Sequence, residues 1–235
     1  MGDKLGYSVV SPAHNEEGNL EKLVKSLQEV LAKTAGQNSF EIIIVNDNST
    51  DNSEKLLEKL KSDIKQLVVV NRKNAPGVGN AIREGLAKAR GDIIITMDAD
   101  LSHDPREIPQ LLKALEGYDM VCGSRYTQKG IGEMNLPRKI ISRTFNNIFK
   151  MLLGLCVRDF TSGYRVIRRK VIEGIHLKNE KFGLYIEIPL KASKKGFRIT
   201  EAPIHYYGRN EGESKLSYLK EGPEYIKVIL DVMKS

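Results

Sequence analysis

The chain is expected to fold as an α/β protein with a mostly parallel sheet covered by helices on both faces. Two observations carry this. Short branched apolar runs recur through the first half of the chain, and each is followed by a segment with leucines at helical spacing. The connections between them are short, which places successive strands side by side through helical crossovers.

The first strand is expected over 7–11, and Leu20, Leu23, Leu27 and Leu31 then line one face of a helix. A second strand over 41–45 leads to a helix carrying Leu56, Leu57 and Leu60. A third over 67–70 precedes a helix that opens near Pro76, a favoured first-turn residue. That helix passes Ile82 and Leu86 to reach Ala89, just before Gly91. A strand over 93–97 is followed, after Asp104-Pro105, by a helix bearing Ile108, Leu111, Leu112 and Leu115, and a short strand is expected over 120–122. No repeat, low-complexity tract or linker interrupts the pattern, so 1–235 is read as one domain.

Composition bounds the function. Charged residues at 29% and hydrophobic ones at 40% are ordinary for a globular protein. No apolar run approaches the roughly 18–20 residues of a membrane span, and the N-terminus lacks a secretory apolar stretch. Cys122 and Cys156 sit in apolar surroundings without C-x-x-C spacing, which points to reduced, packed thiols in a cytoplasmic protein. The net charge of +7 favours an anionic partner: phosphates, an acidic lipid surface or nucleic acid. Nucleic acid lacks a recognised motif or aromatic platform to receive it.

In a parallel sheet, ligands gather beyond the carboxyl ends of the strands. The first strand runs out into S-P-A-H-N-E-E, the second into V-N-D-N-S-T-D and the fourth into M-D-A-D-L-S-H-D. Three strand ends therefore bring Glu16, Asp47, Asp98 and Asp100 to one rim. An isolated D-x-D is ordinarily a strand running out into a polar turn. Acids gathered from three strands repel one another unless a cation or a donor relieves them. A divalent metal bridging to a diphosphate does this. Asp47 is suited to accept hydrogen bonds from a base or ribose, while Asn48, Ser49, Asp51 and Asn52 are suited to turn the chain and cap the next helix.

The segments P-A-H-N-E-E, V-N-D-N-S-T-D, M-D-A-D-L-S-H-D-P, G-S-R-Y, D-F-T-S-G-Y-R and E-G-E-S-K-L follow the order seen in family 2 inverting glycosyltransferases. Their combination is similar to dolichol-phosphate mannose synthases. The resemblance runs from about Tyr7 to Leu216 and implies a GT-A fold, GDP-mannose as donor, Mg2+ or Mn2+, and a dolichyl or other polyprenyl phosphate acceptor. A polyprenyl-phosphate glucosyltransferase is the alternative within the family, and a non-catalytic nucleotide-sugar-binding protein the alternative outside catalysis. A nucleotidyltransferase needs an N-terminal glycine-rich loop with a basic residue, which the sequence lacks.

By that resemblance Pro12, His14 and Glu16 belong to the nucleotide pocket, Val45 and Asp47 border the base and ribose, and Asp98, Ala99 and Asp100 line the diphosphate. Asp98 and Asp100 are the implied metal ligands. Ser102 stands where some relatives carry a glutamine ligand, and His14 where a tyrosine is common. His103, just before Asp104-Pro105, is read as structural. Arg125, Arg209 and Lys215 are implied phosphate binders on the donor side, and Arg125, Arg138 and Ser162 on the acceptor side, with Arg suited to bidentate contact. Asp159 is the functional residue of its motif. The 206–215 segment has a loop's composition and is suited to closing over the donor.

Membrane contact is expected without a span, at the cytoplasmic face. Over 138–153, Ile141, Phe145, Ile148 and Leu152 fall on one helical face, with Arg143, Asn146, Asn147 and Lys150 opposite. The 217–235 segment has the same character. Each is either an amphipathic helix packed on the core or an interfacial one. Many relatives continue into transmembrane helices, so a membrane-anchoring partner or a removed segment is expected.

Overall fold

The structure, a computed structural model, describes residues 5–36, 39–133, 136–153, 157–208 and 218–234. Alternation runs as expected through the first half: β1 (Tyr7–Ala13), α1 (Glu17–Ala35), β2 (Phe40–Asp47), α2 (Ser53–Asp63), β3 (Leu67–Arg72), α3 (Val78–Lys88) and β4 (Ile93–Thr96). A 3-10 turn at Pro105–Glu107 leads into α4 (Ile108–Ala114) and β5 (Met120–Ser124). The remainder comprises β6 (Ile131–Gly132), α5 (Leu136–Leu153), β7 (Arg165–Arg168), α6 (Arg169–Gly174), α7 (Leu184–Lys194), β8 (Ile199–Pro203), β9 (His205–Tyr206) and α8 (Tyr218–Lys234).

Seven strands form the main sheet in the order β3-β2-β1-β4-β7-β5-β8, and β6 pairs with β9 in a small second sheet. The four N-terminal strands are mutually parallel, as are β5 and β8. β7 runs antiparallel to both of its neighbours. Neither β7 nor β8 is among the strands expected from sequence. β7 is four residues, R-V-I-R, with a charge at each end, and β8 is an edge strand with Glu201 and Pro203 in five residues. Neither is long or apolar enough to stand out locally; each is specified by its neighbours.

All eight residues of β2 are buried, because helices cover both faces. One face packs against Ala81, Ile82 and Leu86 of α3, Leu184 and Ile188 of α7, and Tyr225, Val228 and Ile229 of α8. The other packs against Leu20, Leu23, Leu27 and Leu31 of α1, Leu57 and Leu60 of α2, and Ile108 and Leu111 of α4. Gly85 lets α3 lie directly on β1, since a Cβ there would collide with Val10. Helix α3 begins two residues later than Pro76 indicates, because Gly77 stands at its N-cap in extended backbone and gives its N–H to Asp47 Oδ2 at 2.7 Å.

The helix expected over 138–153 forms as α5, but its polar residues do not all face water. Ser142 and Asn146 are buried. Asn146 Oδ1 accepts the Phe160 N–H at 2.7 Å, and the Tyr126 hydroxyl donates to Ser142 Oγ at 2.7 Å. Placing Asn146 with the charged residues is thereby corrected: its amide satisfies loop backbone that would otherwise be buried unpaired. Leu136 and Ile140, by contrast, are exposed. The side chains of Ile141, Phe145, Ile148 and Leu152 lie outside the described residues, as does Cys156. Cys122 is a buried thiol, its pKa pushed up to about 11 by burial. Among the described residues no helix is long and apolar enough to cross a membrane.

Candidate active site

The site lies where β1, β2 and β4 end. In the turns after them, Asn15, Asn48 and Leu101 take left-handed backbone, with φ of 58°, 55° and 59°. Asparagine tolerates this region because its side chain bonds locally. Asn15 also ties the first two turns together: its N–H donates to Ser49 Oγ at 2.9 Å and its Oδ1 accepts the Thr50 N–H at 2.7 Å. Leu101 has no such side chain, and a strained non-glycine here costs about 1–3 kcal/mol. The turn is held by Asp100, whose Oδ1 accepts both the Ser102 N–H at 3.0 Å and the Ser102 hydroxyl at 2.5 Å.

Pro12 is half-buried near the end of β1 and pairs in register with Val45. Val45 itself is wholly buried in the core. His14 Nδ1 donates to the Asp47 carbonyl at 2.7 Å. The Asp47 carboxylate forms a buried ion pair with Arg72 and accepts the Gly77 N–H, so it organises the start of α3. Arg72 reaches onward to Glu84 at 3.0 Å. Glu16 stands at the N-cap of α1, where its carboxylate accepts from Asn19 Nδ2 at 2.8 Å.

The two acids of D-A-D differ. Asp100 is buried, and Ala99 is buried beside it. The Asp98 side chain remains 30% exposed. Its Oδ1 accepts the Tyr185 hydroxyl at 2.7 Å, and its Oδ2 lies 3.8 Å from His103 Nδ1. Burial, with the Asp98 charge nearby, pushes the Tyr185 phenol well above its ordinary range, so it stays protonated as a donor. His103 is buried between the Tyr164 and Tyr206 rings, at centroid distances of 5.1 and 5.6 Å. Burial holds its pKa below the ordinary value, and its Nδ1 accepts the Asp98 N–H at 3.3 Å. Through that bond it supports the backbone of the turn.

Arg125 extends from the end of β5 into a buried pair with Asp159, with Nε to Oδ2 at 2.7 Å and Nη2 to Oδ1 at 2.8 Å. Nη2 also reaches Thr161 Oγ1 at 2.8 Å, and the guanidinium lies over the Tyr206 ring at 5.2 Å. Ser162 is buried, its Oγ accepting the Tyr164 N–H at 3.3 Å. The Arg138 side chain and all of Arg209 and Lys215 lie outside the described residues.

Two contributors escape the sequence reading. Arg165 occupies the middle of the sheet, fully buried, between Thr96 of β4 and Cys122 of β5. Tyr185 comes from α7, 87 positions from the aspartate it touches. The D-F-T-S-G-Y-R segment contains Arg165, but its spacing gives no sign that the arginine points inward, and Tyr185 lies in an ordinary apolar helix.

Asp98 and Asp100 supply hard oxygen donors to one turn, and the described residues contain no group of three or more His, Cys, Asp or Glu able to enclose a metal ion. That set fits a cation held by one or two carboxylates and completed by phosphate oxygens and water, as Mg2+ commonly is. Ser102 donates its hydroxyl to Asp100, which makes it a support for that carboxylate.

The Glycosyl transferase family 2 profile matches residues 8–175. A dolichol-phosphate mannosyltransferase of Pyrococcus furiosus is 35% identical over 98% of this chain, and a polyprenol monophosphomannose synthase of Mycolicibacterium smegmatis is 33% identical over 89%. The chain spans 64% of the first relative's length and 80% of the second's. Glucosyl-3-phosphoglycerate synthase from Mycobacterium tuberculosis, solved with UDP, superposes with a TM-score of 0.73 at 22% identity, covering 97% of this chain and 80% of that one. The same enzyme solved with Mn2+, UDP and phosphoglyceric acid gives 0.71 at 22% identity, covering 97% and 78%. The mostly parallel sheet flanked by helices is thus a GT-A-like fold, and the chain belongs to glycosyl transferase family 2.

Proposed function

We propose that the chain transfers mannose from GDP-mannose to dolichyl or another polyprenyl phosphate, with inversion at the anomeric carbon. The observation that carries this reading is the pair of relatives, one named for dolichol phosphate and one for polyprenol, each matching most of the chain. The placement of Asp98 and Asp100 at the carboxyl end of the sheet supports a nucleotide-diphosphate donor there.

A phosphate monoester is anionic at neutral pH and attacks the anomeric carbon without a general base. A phosphate oxygen forms the new glycosidic bond as the bond to the nucleoside diphosphate breaks, and the departing electron pair stays on the diphosphate. Catalysis then rests on orienting the reactants and on stabilising the departing charge. Asp159 has both oxygens turned to Arg125, which favours this base-free route over one using Asp159 as a proton acceptor. Mg2+ or Mn2+, when bound at Asp98 and Asp100, supplies charge neutralisation to the diphosphate. Pro12, His14, Glu16 and Asp47 shape the nucleotide side of the pocket. Arg125, Arg138, Arg209, Lys215 and Ser162 are assigned to the phosphates in this reading.

The acceptor's phosphate lies at a bilayer surface, so the chain works at the cytoplasmic face of a membrane, alone or beside an anchoring partner. The exposed Leu136 and Ile140 of α5 and Ile226, Leu230 and Met233 of α8 favour such contact. Radiolabelled GDP-mannose, GDP-glucose and UDP-glucose, each offered with dolichyl phosphate and Mn2+, test the reading. Mannosyl lipid formed from GDP-mannose is expected. Transfer from UDP-glucose alone favours the glucosyltransferase alternative, and nucleotide binding without transfer to dolichyl phosphate overturns the assigned activity.

A further inference from the structure

We propose that Tyr185 is a positioning residue for Asp98, fixing this carboxylate in one orientation before the donor arrives, and that buried Arg165 braces Tyr185 from within the sheet. The inference rests on the reading of Asp98 as part of a metal-dependent nucleotide site and adds to it a residue from a distant helix.

The Tyr185 hydroxyl donates to Asp98 Oδ1 at 2.7 Å from a side chain that is itself buried. One edge of the carboxylate is thereby taken by the protein. The other oxygen, Oδ2, lies 3.8 Å from His103 Nδ1, and the Asp98 side chain as a whole keeps 30% of its surface exposed. A carboxylate free to rotate has to lose that freedom on binding a cation; one held by a fixed phenol has already lost it.

The phenol is fixed in turn. Arg165, fully buried, gives Nη2 to the Tyr185 carbonyl and to the Phe160 carbonyl, the latter at 2.8 Å. Its guanidinium lies over the Tyr185 ring at 5.7 Å. The strand pairing of Arg165 with Thr96 sets this brace directly behind the strand that delivers Asp98. Gly163 closes the arrangement: a Cβ there would stand 2.9 Å from Asp98 Oδ1 and 3.1 Å from Tyr185 Cε1. The Gly163 carbonyl accepts the Thr96 hydroxyl at 2.7 Å, so the glycine cannot move aside independently of β4.

Tyr185→Phe removes the hydroxyl and little else. Calorimetric titration of wild type and Tyr185→Phe with GDP, with and without Mn2+, reads the effect without turnover. The expected result is a loss of about tenfold or more in Mn2+-dependent GDP affinity, the usual range for removing a residue that orients a metal ligand. Metal-free GDP binding and the melting temperature of the unliganded protein stay near wild type. In turnover, the Mn2+ concentration for half-maximal rate rises, and saturating Mn2+ restores kcat. A folded Tyr185→Phe with wild-type Mn2+ dependence overturns the proposal while leaving the metal site standing. Failure of Tyr185→Phe to fold overturns it too, because the hydroxyl then serves the fold. Wild type without any Mn2+-dependent GDP affinity removes the underlying metal reading along with it.

Discussion

Arg125 and Asp159 meet inside the protein as a two-pronged ion pair, with nitrogen–oxygen distances of 2.7 and 2.8 Å and side chains only 5% and 0% exposed. Each charge is compensated by the other, so removing either one strands its partner in the interior. Truncating one member of such a pair costs about 3–5 kcal/mol. Asp159→Ala is expected to destabilise the fold by that amount in urea unfolding, and Arg125→Ala similarly. The double variant should lose less than the sum. Additive losses in the cycle would mean that the two charges are not coupled.

Asp100 joins support of the turn to the proposed metal contact. Asp100→Asn keeps the shape but not the charge, and should abolish the Mn2+-dependent part of GDP binding while holding the melting temperature close to wild type. Asp100→Ala also leaves the Ser102 N–H and hydroxyl without that acceptor, for a further loss of about 1–3 kcal/mol. Calorimetry with GDP and Mn2+, beside a thermal melt, separates the two effects. Equal melting of both variants would show that Asp100 carries no structural share.

Gly163→Ala places a methyl group against Asp98 and Tyr185. Mannosyl transfer should fall by more than tenfold through displacement of Asp98, with circular dichroism of the folded protein unchanged. Retained activity would mean that the loop shifts freely under Asp98.

Asp119, at the start of β5, offers a test of pH dependence away from the site. Burial alone would raise its carboxyl, but hydrogen bonds from Lys170 and from the Arg198 N–H outweigh it and hold the pKa below the ordinary value. As pH falls, the unfolded chain takes up this proton first. The stability contributed is full above about pH 4 and is lost as pH drops through the folded value. Asp119→Asn should therefore lower stability at neutral pH and flatten its decline below about pH 4. An unchanged acid limb in denaturant titrations would show that this carboxylate does not contribute.

Leu136 and Ile140 provide a test of membrane contact that spares the core, since both are exposed. Wild type should co-sediment weakly with anionic vesicles, and the Leu136→Ser, Ile140→Ser double variant should do so less. A helix of this size alone gives only marginal membrane residence. Equal sedimentation of a folded variant would mean that this end of α5 does not meet lipid.

The first four strands and the helices after them are legible in the sequence because their signal is local. Branched residues in short runs and leucines three or four apart report directly which side of an element is buried, and the D-A-D acids sit at a strand end that follows from that pattern alone. The antiparallel insertion of β7, the inward turn of Asn146 on α5, the pairing of Arg125 with Asp159 and the reach of Tyr185 to Asp98 are set by the tertiary structure. The last three each depend on a polar or charged group finding a partner 14 to 87 positions away. Hydrophobic periodicity records which face is dry, but a buried charge is tolerable only beside its partner, and that partner is fixed by how the sheet is assembled.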